Sequence, residues 1–99
     1  MPIVPQVKDG ALRLIDCELT QLPAWINDNP ARYGRSVRTL VLKANMLAEV
    51  PDVRGLERLT ELNLNGNELS YLDAASLPPT IERLEAINNH LSSMHGVSR

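Results

Sequence analysis

Cys17, His90 and His95 are the residue types in this chain that could do covalent or metal chemistry. A nucleophilic cysteine needs a histidine within hydrogen-bond reach to take its proton, and a structural or catalytic metal needs three or four converging donors. The spacing supplies neither arrangement. His90 and His95 stand five apart, off the i, i+4 interval that suits two ligands on a helix, and no Asp, Glu or Cys cluster accompanies them. There is no glycine-rich phosphate loop. The chain therefore reads as a non-enzyme, with no catalytic residue, no metal site and no cofactor.

The elements that must position any functional residue are written as a repeat. VRTLVLKANMLAEV from Val37, LTELNLNGNELSYL from Leu59 and IERLEAINNHLSSM from Ile81 overlay in register. Apolar residues fall at positions 1, 4, 6, 11 and 14, and position 9 is Asn45, Asn67 and Asn89, a period of 22. A weaker copy starts 28 residues earlier at Asp9 and runs through Leu12, Leu14, Cys17, Leu19 and Leu22. A fixed period in this range marks a stacked array. The pattern, LxxLxLxx(N/C)xL, resembles the leucine-rich repeat family, in its 22-residue-period intracellular type. The resemblance covers residues 9–95; Ala86 at position 6, Met94 at position 14 and Asp9 at position 1 depart from it.

Composition is consistent with such an array. A chain of 99 residues with 43% hydrophobic residues is one domain, and with no Phe its core must be built from Leu, Ile and Val. A formal charge of −2, from 10 basic and 12 acidic residues, gives no broad attraction for nucleic acid or anionic lipid. A single cysteine makes no internal disulfide, and no 18-residue apolar run is present, so a cytoplasmic protein without nucleic-acid or membrane partners is expected.

The resemblance implies an α/β solenoid. It would be a short right-handed horseshoe with a parallel sheet on its concave face and mostly irregular or short-helical convex returns. Residues 1–99 form one domain of about four repeats, 9–36, 37–58, 59–80 and 81–99, read as the N-terminal part of a longer protein. In each Leu-x-Leu pair both side chains point inward and their neighbours point out. The position 9 Asn is expected to bond turn backbone in its own and the adjoining repeat, with Cys17 a weaker, buried substitute. Cys17 and His90, three strands apart, would lie roughly 14 Å from one another, too far for a nucleophile and its base.

The returns are expected to differ. Pro23 suits the first helical position, giving one turn from Pro23 to Asn27 with Trp25 and Ile26 plugging the core. Residues 50–58 should be short-helical or irregular, with Val53 and Leu56 inward. Pro78-Pro79 favours an extended or turn-like return over 73–80. Ile3, Val4 and Val7 are candidates to cover the first rung.

In the family, outward residues of the concave sheet bind partners. Carried onto matching positions, these are Arg13, Ile15, Thr39, Val41, Lys43, Glu61, Asn63, Asn65, Arg83, Glu85 and Ile87. Position 3 also holds Ala11, and position 8 holds Asp16, Ala44, Gly66 and Asn88. Ile15, Val41 and Ile87 are apolar where water is expected, read either as a partner patch or as scattered surface residues, with Ile15 covered by the N-terminal arm as a further reading. Glu61 and Arg83 share a row on neighbouring strands and are expected to pair. Met46, Glu68 and His90 form a flanking row with Tyr71 near it, either an exposed anchor or a boundary residue. The basic stretch 32–38 is expected to be a solvated loop.

The function this implies is a non-catalytic protein–protein interaction module of a scaffold or adaptor. The run from Val53 to Asn67 looks like the subgroup found in phosphatase regulators, dynein light chains and ciliary or centrosomal proteins, which suggests a cytoskeletal setting. The alternative is a targeting or regulatory domain of an enzyme or bacterial effector whose catalytic part lies outside this chain. Weak self-association through the C-terminal edge is a further outcome that an uncovered last rung would allow.

Overall fold

The computed structural model describes residues 7–91. Four three-residue strands, β1 (Ala11–Arg13), β2 (Thr39–Val41), β3 (Glu61–Asn63) and β4 (Arg83–Glu85), form one parallel sheet in chain order. The pairing joins equal repeat positions: Leu12 faces Leu40, Leu40 faces Leu62, and Leu62 faces Leu84. The sequence overlay is thus also the strand register. A parallel sheet in this register is consistent with the solenoid that the resemblance implies; four strands are too few to define a horseshoe.

The core follows from period 2. Leu12, Leu40 and Leu62 at position 4, with Leu14, Leu42 and Leu64 at position 6, are all buried behind the sheet. Each such burial contributes about 1.5–3 kcal/mol, and stacking is what makes it available, since a lone rung hides one side only. Leu84, Ala86 and Ile81 of the last rung are only partly buried, and Leu91 is exposed.

Position 9 works in one direction along the array. The Asn45 side-chain amide donates to the Leu14 carbonyl at 2.7 Å and the Leu42 carbonyl at 2.9 Å. Its Oδ1 accepts from the Cys17 and Leu19 amides at 2.9 and 3.1 Å. Asn67 repeats this toward Leu42, Leu64 and Leu47, and Asn89 toward Leu64, Ala86 and Leu69. Each Asn therefore serves its own turn and the turn before it. The first repeat's turn is served by Asn45, which removes the need for an amide at position 17. Cys17 is accordingly exposed, correcting the expectation of a buried residue, and its Sγ reaches only the Ile15 carbonyl at 3.4 Å.

Position 8 leaves the strand through left-handed backbone in all four repeats: φ is 55° at Asp16, 60° at Ala44, 71° at Gly66 and 61° at Asn88. Asp, Gly and Asn tolerate that conformation; Ala44 carries the penalty of its Cβ.

The first repeat begins with a tight hairpin. Lys8 and Ala11 exchange backbone hydrogen bonds at 2.9 Å around Asp9-Gly10, whose φ values of 54° and 79° are those a type I′ turn requires. Asp9 therefore sits in a turn, away from position 1 of the core, and half-buried Val7 packs against the core there. Ile3 and Val4 lie outside the described residues.

The long first return holds α1 (Ala24–Asn27) and a single π-helical turn, Pro30–Gly34. Pro23 is the residue before the helix, one position earlier than expected, with ψ of 133°. Ile26 is buried as expected and Trp25 only partly. Tyr33, inside the basic stretch, is buried beside them at 2% exposure, with its ring 5.4 Å from that of Trp25. In the second return Val53 and Leu56 are buried in irregular backbone. The third contains one 3₁₀ turn, Ala74–Ser76, started by Asp73, whose carboxylate accepts from the Ala75 amide, before the two prolines.

Candidate functional site

The outward face of the sheet is a grid. Its columns are repeats and its rows are positions 3, 5 and 7. The register continues past the strands: the Leu14 and Asp16 amides donate to the Val41 and Lys43 carbonyls at 2.8 and 3.0 Å, and Ala44 donates to the Asn65 carbonyl at 2.8 Å. The row of Ile15, Lys43, Asn65 and Ile87 is therefore held as firmly as the strand rows.

Position 3 runs Ala11, Thr39, Glu61, Arg83. Ala11 is buried, because the hairpin at Lys8 folds against it, so it contributes nothing to an exposed patch. The Thr39 hydroxyl donates to Glu61 Oε1 at 3.0 Å. Glu61 and Arg83 are register partners but do not form the ion pair expected of them. Arg83 Nε instead lies 3.2 Å from Glu85 Oε2, two residues along its own strand.

Position 5 runs Arg13, Val41, Asn63, Glu85. Glu85 also accepts from the Asn65 amide at 3.2 Å, and Asn65 Oδ1 accepts from the Ile87 backbone at 2.7 Å. Asn63 Oδ1 takes the Asn65 backbone amide at 2.9 Å. The face over repeats three and four is thus a connected polar network. Thr39, Val41, Glu61, Asn63, Arg83 and Glu85 surround a shallow hollow of about 180 Å³.

Two large apolar side chains stand out of this face: Ile15 is 45% and Ile87 64% exposed, at opposite ends of the position 7 row. Val41 is half-buried and Lys43 exposed between them. Ile15 is not covered by any described residue of the N-terminal arm.

The remaining candidates separate from this face. Met46, Glu68 and His90 are exposed along the flank, and Tyr71 is half-buried. The basic stretch is only in part the solvated loop expected: its arginines are exposed, but Tyr33, Gly34 and Val37 between them are buried, and Arg35 approaches Glu57 only to 3.8 Å, a contact worth little. The Arg32 guanidinium lies over the Tyr33 ring, 5.4 Å from its centre. On the returning side Arg54 grips Asp52 at 2.9 Å, and this hydrogen bond holds the Asp52 carboxyl below its ordinary pKa. A larger hollow of about 510 Å³ opens there, among Leu22, Asn27, Leu47, Glu49 and Asp52. Among the described residues no three His, Cys, Asp or Glu side chains converge as a metal site. No described helix is long and apolar enough to cross a membrane.

Comparison with known proteins agrees with this geometry. The chain is 34% identical over 102 residues to Podocan-like protein 1 of Homo sapiens, covering 95% of the chain and 19% of that protein. It is 37% identical over 62 residues to human Leucine-rich repeat-containing protein 43, covering 63% of the chain and 9% of that protein. It is 40% identical over 60 residues to a probable LRR receptor-like serine/threonine-protein kinase, At1g14390, of Arabidopsis thaliana, covering 60% of the chain and 8% of that protein. The chain thus spans less than a fifth of the length of each of these relatives. No family model and no solved structure matches it.

Proposed function

This chain belongs to the leucine-rich-repeat family, and from that premise we propose that it is a non-catalytic protein–protein interaction module. It docks a protein partner on the outward face of its sheet, the face that a longer array would curve into the concave side of a horseshoe. The observation that carries this reading is the pair of exposed isoleucines, Ile15 and Ile87, fixed by backbone register in one row of an otherwise polar surface. Exposed apolar groups on a rigid platform gain when a partner removes them from water. The proposed contact residues are Arg13, Ile15, Thr39, Val41, Lys43, Glu61, Asn63, Asn65, Arg83, Glu85 and Ile87. The setting we propose is a cytoplasmic scaffold or adaptor, of the cytoskeletal or ciliary kind, where an exposed Cys17 thiol stays reduced.

Affinity capture from a native lysate tests this, comparing the wild-type chain with a Val41→Glu/Lys43→Glu/Ile87→Glu variant whose fold is confirmed by circular dichroism. Partners lost only by the variant support the reading. Equal capture by both removes the sheet face from consideration. A second reading, a targeting or regulatory domain of an enzyme, is favoured by the similarity to a protein whose name is that of a kinase. In that case captured complexes would contain an enzyme held through the same residues. Self-association through the last rung, whose Leu91 is 37% exposed, is a further proposal. A light-scattering mass that stays monomeric over a concentration series excludes it.

A further inference from the structure

The outward face is divided by how its charges are used. Over repeats three and four, Arg83 and Asn65 both engage Glu85, and Glu61 takes the Thr39 hydroxyl. Over repeats one and two, the exposed cations Arg13 and Lys43 form no ion pair or side-chain hydrogen bond among the described residues. The register sets Arg13 opposite Val41, and its continuation sets Ile15 opposite Lys43. The four side chains therefore make a square of alternating character, with the cations on one diagonal and Ile15 and Val41 on the other. Neighbouring strands are about 4.8 Å apart, and diagonal neighbours about 7–8 Å. Asp16 borders the square beyond the strand end and Glu61 borders it from the third repeat, and neither pairs with Arg13 or Lys43.

We infer that this square is the docking subsite for an extended acidic segment of a protein partner, one that carries carboxylates at alternate positions. The inference rests on the proposed function of the sheet face and names its partner's chemistry. Carboxylates two residues apart on an extended strand project to one side, about 6.6 Å from each other, which matches the cation diagonal. The methylene stems of those same side chains pass over Ile15 and Val41, which flank the cation diagonal. Repeats three and four have already satisfied their charges and supply shape more than attraction.

The test is amide-resolved NMR titration of the whole chain with three decapeptides, alternating Asp-Leu, Ser-Leu and Lys-Leu. The acidic peptide is expected to bind about tenfold more tightly than the basic one, with shifts centred on Arg13, Ile15, Val41 and Lys43. That preference should shrink when salt is raised well above about 0.1 M. Arg13→Glu/Lys43→Glu should invert it, and Arg13→Gln/Lys43→Gln, a milder change should the first variant lose its fold, should abolish it. Equal binding of all three peptides on these residues overturns the charge assignment and leaves docking on the sheet intact. Acidic preference mapped to Arg32, Arg35 and Arg38 overturns the subsite and moves the anion contact to that loop. Silence of the whole face toward every peptide overturns the inference, and the lysate capture then judges the face separately.

Discussion

Replacing Asn45 by Ala should be the most damaging single polar substitution in this chain. Asn45 is 5% exposed and bridges the first two turns. Its removal orphans the buried Leu14 carbonyl, leaves the Leu42 carbonyl with its bond from Asn67, and releases the partly buried Cys17 and Leu19 amides toward water. The orphaned buried carbonyl costs about 1–3 kcal/mol, and the freed amides cost little, so the loss is about 1–3 kcal/mol. Against a total of about 5–15 kcal/mol for a domain, that is a large fraction. Urea unfolding followed by far-ultraviolet circular dichroism measures it, with Trp25 fluorescence as a second probe of the first return. With a slope of about 1–2 kcal/mol per molar urea, the midpoint should fall by about 0.5–3 M. Asn45→Asp should be no better, since the carboxylate accepts but cannot donate to the two carbonyls. Cys17→Ala should change stability by less than about 0.5 kcal/mol, because position 9 of the first repeat serves no earlier turn. Asn45→Ala within 0.5 kcal/mol of wild type, or equal effects at positions 17 and 45, would refute the one-way ladder.

Ala44→Gly should raise stability by about 0.5 kcal/mol and Gly66→Ala lower it by about 1 kcal/mol, read by thermal unfolding, since both positions have positive φ. A destabilised Ala44→Gly would contradict the left-handed turn. Cys17 should react with a thiol reagent in the folded protein as fast as in the unfolded one, because it is exposed; protection would restore the buried reading. Tyr33→Ala should cost about 3–5 kcal/mol and Trp25→Ala distinctly less, following their burial. Asp52 should titrate below the ordinary carboxylate range, and Arg54→Gln should move it upward by NMR. A folded-state pKa that is depressed stabilises above the unfolded pKa and is lost as pH falls through the folded one, so any effect of this exposed pair appears only in acid.

The sequence overlay carried the scaffold because stacked repeats impose one packing solution, and equal positions became register partners without exception from Leu12 to Leu84. What it missed falls where the period breaks. Asp9-Gly10 was a legible hairpin signal, hidden by assigning Asp9 to repeat position 1. Tyr33 was hidden by the arginines around it, since local charge says nothing about a ring turned under a longer return. Glu61 and Arg83 were placed correctly, yet the shorter reach to Glu85 won, a choice made by side-chain geometry that spacing cannot express. Cys17 stands exposed where burial is expected, because the pattern gives the residue type at position 9 and not the direction in which it bonds. The outward rows were legible as positions, and their division into a self-satisfied half and a half with unpaired cations emerged only with the hydrogen bonds.

The backward reach of Asn45, Asn67 and Asn89 gives the array a polarity in time as well as in space. As the chain leaves the ribosome, each of these turns has only its own Asn until that of the following repeat has been made. Each rung is sealed by its successor and by nothing before it. Trimming the array from its C-terminal side should therefore loosen the rung left behind, while removing the first repeat leaves the turns of repeats two and three with the amides that close them.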